Sequence, residues 1–250
     1  MPGTLYLIPN TLGPTDPAAD ALALIIPEHV QAITARLDYF VAENAKTARG
    51  LLKLIAIGHP LARPLQEIQI AELNVNTPAT ALPALLEPLL AGRDAGLVSE
   101  AGVPAVADPG ADLVRLAHQH GITVKPLVGP SSLLLAVMAS GLNGQSFAFN
   151  GYLPTDGALR TKRIKELENR SRSEKQTQLL IETPYRNAAM LEALAAGCQA
   201  SSLVCIATDL SLPSESIRTL AASRWKALLA AGQGPDFHKK PTVFLLLAQG

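Results

Sequence analysis

Apolar and polar positions along the chain follow two alternating rhythms. Short runs such as Thr4 to Ile8, Ala95 to Ser99 and Leu203 to Thr208 carry aliphatic residues in strand fashion, while longer stretches repeat theirs at the three- and four-residue spacing of a helix. In the first half, strands are expected at Thr4 to Ile8, Leu37 to Ala42, Leu65 to Leu73, Ala95 to Ser99 and Ile122 to Leu127. Between them lie helices at Ala18 to Ile26, ended by Pro27, at Ala45 to Ile55, at Pro78 to Leu90 despite two internal prolines, and at Ala111 to His120, with Gly121 as a natural end. From Gly129 the alternation restarts. Helices follow at Ser131 to Ser140, Ala158 to Asn169, Arg186 to Ala196 and Arg224 to Ala231, and strands at Ser146 to Phe149, Gln176 to Glu182, Leu203 to Thr208, Ser216 to Leu220 and Thr242 to Ala248. This is the pattern of an α/β protein with largely parallel sheet. So many strands with crossovers strain one compact domain of 250 residues, so two α/β lobes are expected, residues 1–128 and 129–250.

Composition narrows the class. Hydrophobic residues make up 48% and charged ones 17%, which suits a globular chain, and the two cysteines are too few for a disulfide framework. The most apolar runs (Leu22 to Ile26, Leu133 to Val137, Val243 to Ala248) fall far short of a bilayer span, and the N-terminus lacks the basic start and long apolar middle of a signal peptide. A cytoplasmic protein with no membrane partner is expected. Lys plus Arg equals Asp plus Glu at 21 each, so the net charge of zero does not announce a nucleic-acid binder. One segment departs from that average. Between Arg160 and Lys175 seven basic side chains (Arg160, Lys162, Arg163, Lys165, Arg170, Arg172, Lys175) face three glutamates, a local charge of +4 that can hold phosphates. The same segment also reads as a solvated helix with pairs such as Glu166 to Arg170.

Chemistry in an open α/β sheet is sought beyond the carboxyl ends of the strands. The run Ser99 to Gly110 has two glycines, two prolines and mostly small side chains, so a ligand can lie against its backbone, with Glu100 and Asp108 as the charged groups. It reads equally as a connection whose Asp108 caps the next helix. Val128-Gly129-Pro130-Ser131-Ser132 offers hydroxyls and free helix amides, or simply a serine cap, and its spacing is not that of a nucleophile elbow. Glu182-Thr183-Pro184-Tyr185-Arg186-Asn187 gathers a carboxylate, a hydroxyl, a phenol and a guanidinium at one strand end. There Thr183 and Pro184 also suit a helix start. Pro9 to Pro14 and Ala42 to Arg49 are weaker candidates of the same kind. A phosphate loop, a dinucleotide glycine fingerprint and H-E-x-x-H are missing from the sequence, and His118 and His120 point apart on a helix, so no metal is expected.

Taken in order, five segments resemble the tetrapyrrole-methylase superfamily of S-adenosylmethionine-dependent methyltransferases, and within it the branch acting on small-subunit ribosomal RNA. They are Gly3 to Ile8, Leu97 to Gly110, Gly129-Pro130-Ser131-Ser132 with Ala139-Ser140-Gly141-Leu142, Phe147 to Pro154, and Glu182 to Arg186. The resemblance implies two α/β lobes with the methyl donor folded in the cleft between them, a homodimer, and 2'-O-methylation of a ribose in ribosomal RNA. It also implies where the donor is touched: at Ala101-Gly102-Val103-Pro104, at Val106-Ala107-Asp108 and at Ser131-Ser132. From the second lobe come Glu182-Thr183-Pro184, Ala207 and Pro241-Thr242.

A ribose hydroxyl is a weak nucleophile at neutral pH, so Glu100, Asp108 and Glu182 are candidate bases, and Tyr185 and Arg186 candidates to hold the acceptor. The basic residues Arg160, Lys162, Arg163 and Lys165 are candidate RNA contacts. The acceptor-side segments Glu43 to Thr47 and Thr208 to Glu215 depart from the branch pattern, and the additional C-terminal portion common in the branch is not found after the last strand. Two other readings therefore stand beside RNA methylation: a methyltransferase of the same fold acting on a small molecule such as a tetrapyrrole, and a donor-binding protein without catalysis.

Overall fold

The computed structural model of the chain describes residues 1–15 and 22–249, which form two units, Met1–Ser131 and Ser132–Gly250. In the first, strands β1 (Thr4–Ile8), β2 (Tyr39–Ala42), β3 (Gln69–Glu72), β4 (Ala95–Val98) and β5 (Thr123–Pro126) alternate with helices α1 (Glu28–Ala35), α2 (Ala45–Gly58), α3 (Leu82–Leu90) and α4 (Ala111–Gln119). All neighbours pair in parallel, in the order β3-β2-β4-β1-β5. β2 and β4 are buried at every residue, which is why their sequences show no polar alternation.

Right-handed crossovers sort the helices by the direction in which the chain travels. α1 and α2 lead toward the β3 edge, and Val30, Leu51, Leu52 and Ile55 pack on Ile8, Phe40 and Val98. α3 and α4 lead toward the β5 edge, and Leu86, Leu89, Leu113 and Ala117 pack on Leu5, Val41 and Leu97, the opposite face of the sheet.

The second unit contains α5 (Ser132–Ser140), β6 (Phe147–Phe149), α6 (Gly157–Glu174), β7 (Thr177–Ile181), α7 (Asn187–Gly197), β8 (Leu203–Thr208), β9 (Ser216–Ala221), α8 (Ala222–Ala230) and β10 (Thr242–Leu247). Its sheet runs β6-β7-β10-β8-β9. Ile164, Leu167, Met190, Leu191, Leu194 and Trp225 from α6, α7 and α8 cover one face, packing on Leu180, Val204, Ile206 and Phe244. The Trp225 indole N–H donates to Val204 O at 2.9 Å, so the largest buried ring has no orphaned donor. Cys205 and the half-buried Cys198 are free, and burial pushes both thiols up, Cys198 to about 12 with Glu168 adding to the effect.

Three expectations are corrected. The second sheet is not largely parallel: only β6 and β7 run parallel, while β10 is antiparallel to β7 and β8, and β8 to β9. The cause lies in the connections, because residues 209–215 between β8 and β9 are too few for a crossover helix, and the last strand enters between β7 and β8 from the far end. The helix expected over 18–26 lies in part outside the described residues, and residues 22–26 form a turn closed by the Ile25 and Ile26 N–H groups on Leu22 O. Pro27 starts a helix rather than ending one: its carbonyl accepts from the Val30 and Gln31 amides, and α1 follows. Finally, the helix expected from Pro78 begins with a tight 3-10 turn at Ala79–Ala81, and α3 itself accommodates Pro83 in its first turn and Pro88 near its end.

Candidate functional site

In the first unit the neighbours of β4 on both sides, β2 and β1, send their following helices to the face opposite α4, so the chain parts on either side of the β4 carboxyl end. Ser99 to Gly110 leaves from that point along an unusual path. Gly102 (φ 67°), Ala105 (63°), Ala107 (66°) and Gly110 (132°) all lie in left-handed territory. An alanine held there costs on the order of 1 kcal/mol, so partners elsewhere must fix the loop.

Asn10, 5% exposed, is one such partner. Its side-chain amide donates to Ser99 O at 3.2 Å and Glu100 O at 3.0 Å, and its backbone N–H donates to Gly102 O at 2.8 Å. Glu43, just after β2, is the other, accepting the Glu100 N–H at 3.2 Å. Contacts at two glycines bring the remaining strand ends in. A Cβ on Gly102 would lie 3.1 Å from the Leu12 side chain and 3.4 Å from Pro130 O, and one on Gly129 would run into the Pro9 ring. The segments after β1, β4 and β5 thus touch through backbone and small atoms.

Within this loop Gly102 and Pro104 are buried, Val103 and Asp108 half-buried, and Ala101, Val106 and Ala107 exposed. Asp108 does not cap α4, whose N-cap is Gly110 with no side-chain bond to the helix. Burial pushes the Asp108 carboxyl up to about 6; the charges of Glu43 and Glu100 add to this and the nearby Ser99 hydroxyl opposes it. Glu43, Glu100 and Asp108 therefore make a negative end to β2 and β4. Asp108 also lines a cavity of about 320 Å³ with Asn74, Thr77 and Leu82. Ser131 closes the first unit, and Ser132 begins α5.

In the second unit, antiparallel pairing puts the start of β10 beside the ends of β7 and β8: Val243 is level with Ile181, and Thr242 with Thr208. Glu182-Thr183-Pro184, Ala207 and Pro241-Thr242, far apart in sequence, so fall at one end of the sheet. Glu182 is buried, and one of its oxygens, Oε1, accepts from Arg186 Nε (2.9 Å), Arg186 Nη2 (2.6 Å) and the Thr183 N–H (2.7 Å). This carboxylate is a fixed counter-ion for Arg186. Tyr185 is 74% exposed. The Asp156 side chain caps α6, where Arg163 meets Glu166 (3.2 Å) and Arg170 meets Glu174 (3.3 Å), replacing the expected Glu166–Arg170 pair. Lys162 and Lys165 are exposed, and Arg160, half-buried, reaches Thr155 O at 3.4 Å.

Sequence reasoning put Asn187 at the end of the Glu182 loop and gave it no role. It is 1% exposed and its amide donates to Phe237 O (3.0 Å), Lys240 O (2.9 Å) and Thr242 Oγ1 (3.1 Å), pinning the 237–242 segment against α7. Its place directly after a Thr-Pro turn was the only local signal. Among the described residues no group of three or more His, Cys, Asp or Glu could hold a metal ion, and no helix is long and apolar enough to cross a membrane.

No protein-family model matches the chain. The ribosomal RNA small subunit methyltransferase I of Xylella fastidiosa is 29% identical to it over the whole of this chain and 82% of that protein. The protein of the same name from Vibrio cholerae is 30% identical over 72% of this chain and 63% of its own length, so in that alignment the chain spans under two thirds of its relative. Among solved structures, the methyltransferase CobJ superposes with a TM-score of 0.61 over 98% of this chain and 94% of that one, at 18% identity, a likeness of fold.

Proposed function

We propose that this chain is a member of the family of the ribosomal RNA small subunit methyltransferase I proteins and transfers a methyl group from S-adenosylmethionine to a ribose 2'-hydroxyl of ribosomal RNA. One observation carries the reading: the strained 99–110 loop, locked by Asn10 and Glu43, places small side chains and a three-carboxylate field at the β4 end. The donor set fits the ligand, because a sulfonium is a cation that Glu43, Glu100 and Asp108 attract, and the adenosine part needs backbone partners that the Ala101 to Asp108 stretch and Ser131 supply. Ser132, Glu182-Thr183-Pro184, Ala207 and Pro241-Thr242 are proposed as further donor contacts.

S-adenosylmethionine when bound supplies an electrophilic methyl group whose departure leaves a neutral thioether. The protein's work is then geometric and protolytic. The backbone around Gly102 fixes the donor so that the acceptor oxygen can approach in line. Asp108, with its carboxyl near 6, is mostly ionised at neutral pH yet basic enough to take the hydroxyl proton as the new O–C bond forms, which favours it over Glu182, already held by Arg186. Glu100, exposed, contributes charge. Arg186 and Tyr185 are proposed to hold the acceptor, and Arg160, Lys162, Arg163 and Lys165 to contact its phosphates. The protein is proposed to act in the cytoplasm as a homodimer, which sedimentation at micromolar concentration tests.

The deciding experiment is transfer of a labelled methyl group to small ribosomal subunits from a strain lacking the gene. Label in a ribose 2'-O position is the expected result. Label that enters only a tetrapyrrole, or donor binding by calorimetry with no transfer to any acceptor, overturns the RNA reading.

A further inference from the structure

Tyr185 stands out among the exposed apolar side chains of the second unit because its surroundings are built. Lys239 holds its ammonium 5.9 Å from the centre of the Tyr185 ring, within cation–π range, and His238 meets the ring edge-on with centroids 6.4 Å apart. The segment that presents these two side chains is not a loose loop. Lys239 has φ 60°, a conformation a lysine adopts only under constraint, and its N–H donates to Pro184 O at 3.3 Å, in the residue before Tyr185. From beneath, the buried Asn187 amide grips Phe237 O and Lys240 O on either side of the pair. Lys240 is neutralised by Asp236 at 3.0 Å, whereas His238 and Lys239 are exposed. The result is an exposed aromatic ring with a cation over one face and an imidazole edge-on to it.

An exposed ring with a cation over one face suits a flat group attached to an anion, which is the chemistry of an unpaired nucleotide: the base stacks on the other face and the phosphate meets the cation. Stacked bases of a duplex have no free face to offer. We infer that Tyr185, His238 and Lys239 form a stacking platform for a single unpaired base of the RNA, with Lys239 on the adjoining phosphate. The inference rests on the proposed RNA substrate and specifies which state of it is recognised, unpaired rather than helical. It assigns no part of the methyl transfer itself to these residues.

The test uses the full chain and fluorescein-labelled eight-nucleotide RNA, single-stranded or annealed to its complement, with affinity read by anisotropy at several salt concentrations. The wild type is expected to bind the single strand more tightly than the duplex. Tyr185→Ala weakens single-strand binding about tenfold, Tyr185→Phe keeps it within about twofold, and Lys239→Gln flattens the dependence of log affinity on log salt by about 0.7. Tyr185→Trp adds an exposed indole to a chain whose Trp225 is buried, so its fluorescence is quenched by the single strand alone. Because Tyr185 is exposed, an unchanged melting temperature and unchanged S-adenosylmethionine calorimetry confirm that the variants are folded.

Equal single-strand affinity for wild type and Tyr185→Ala overturns the platform. So does equal binding of duplex, or a Tyr185→Ala effect confined to self-association, which would mean that a second copy covers the ring. Labelled-methyl transfer is scored in parallel. A platform that binds as described in a protein that methylates no RNA sinks the functional reading alone, and transfer that proceeds with no Tyr185 effect on binding sinks the platform alone.

Discussion

Asp108 shows how a single side chain takes its chemistry from its surroundings. In sequence it is one acidic residue before Pro-Gly, open to being a cap. In the fold Gly110 takes that position and the carboxyl is left half-buried beside Glu43 and Glu100, with its pKa raised to about 6. The sign of the consequence is fixed. The folded value lies above the unfolded one near 3.8, so the folded state holds the proton more tightly, and stability falls as pH climbs from about 4 to 6 and is level beyond. Asp108→Asn, which cannot ionise, should therefore stabilise the protein at pH 7.5 relative to wild type and lose that advantage by pH 4. About 1 kcal/mol is expected, well under the full conversion of the shift because the group is partly exposed, and urea unfolding at the two pH values measures it. Turnover of the same variant should fall by at least about a hundredfold with donor affinity retained, while wild-type kcat rises through pH 6. Residue identity announced the carboxylate; burial, with the charges of Glu43 and Glu100 beside it, raised its pKa.

Elements were legible wherever spacing and burial agreed. β2, β4 and α2 fell where the apolar runs put them, and in the fold Asn44 caps α2 by accepting from the Lys46 and Thr47 amides. α1 was not legible, because its buried set is Val30, Gln31, Thr34 and Ala35, half of it polar, and Pro27 read as a stop. Contacts between elements were hidden altogether. Nothing local marks Gly129 as the point where the Pro9 segment leans on the β5 end. Gly129→Ala should consequently cost about 1–3 kcal/mol by overpacking and weaken S-adenosylmethionine binding in calorimetry. Gly121→Ala is the control: Gly121 also has a positive φ (68°) but open space around it, so it should lose only the backbone term of about 1–2 kcal/mol and leave donor affinity unchanged.

On the scale of the whole molecule, the zero net charge conceals an uneven surface. Arg163 and Arg170 each share an exposed ion pair within α6, and Lys162 and Lys165 are exposed cations. The double charge reversal Lys162→Glu/Lys165→Glu should weaken binding to ribosomal RNA and reduce its salt dependence, without altering the melting temperature by more than a few degrees or the donor isotherm at all. An unchanged RNA affinity would reduce the helix to a solvated face. The sequence by itself determined the alternation of strands and helices, the restart near Gly129, and the loops rich in Gly, Pro and acidic residues, because period and backbone permissiveness are properties of neighbours along the chain. Tertiary structure alone decided the antiparallel entry of β10, the meeting of Glu182, Ala207 and Thr242 at one sheet end, the raised pKa of Asp108, and the pairing of Tyr185 with Lys239. Each of these depends on residues tens of positions apart, and local pattern carries no record of which strand a chain will return beside.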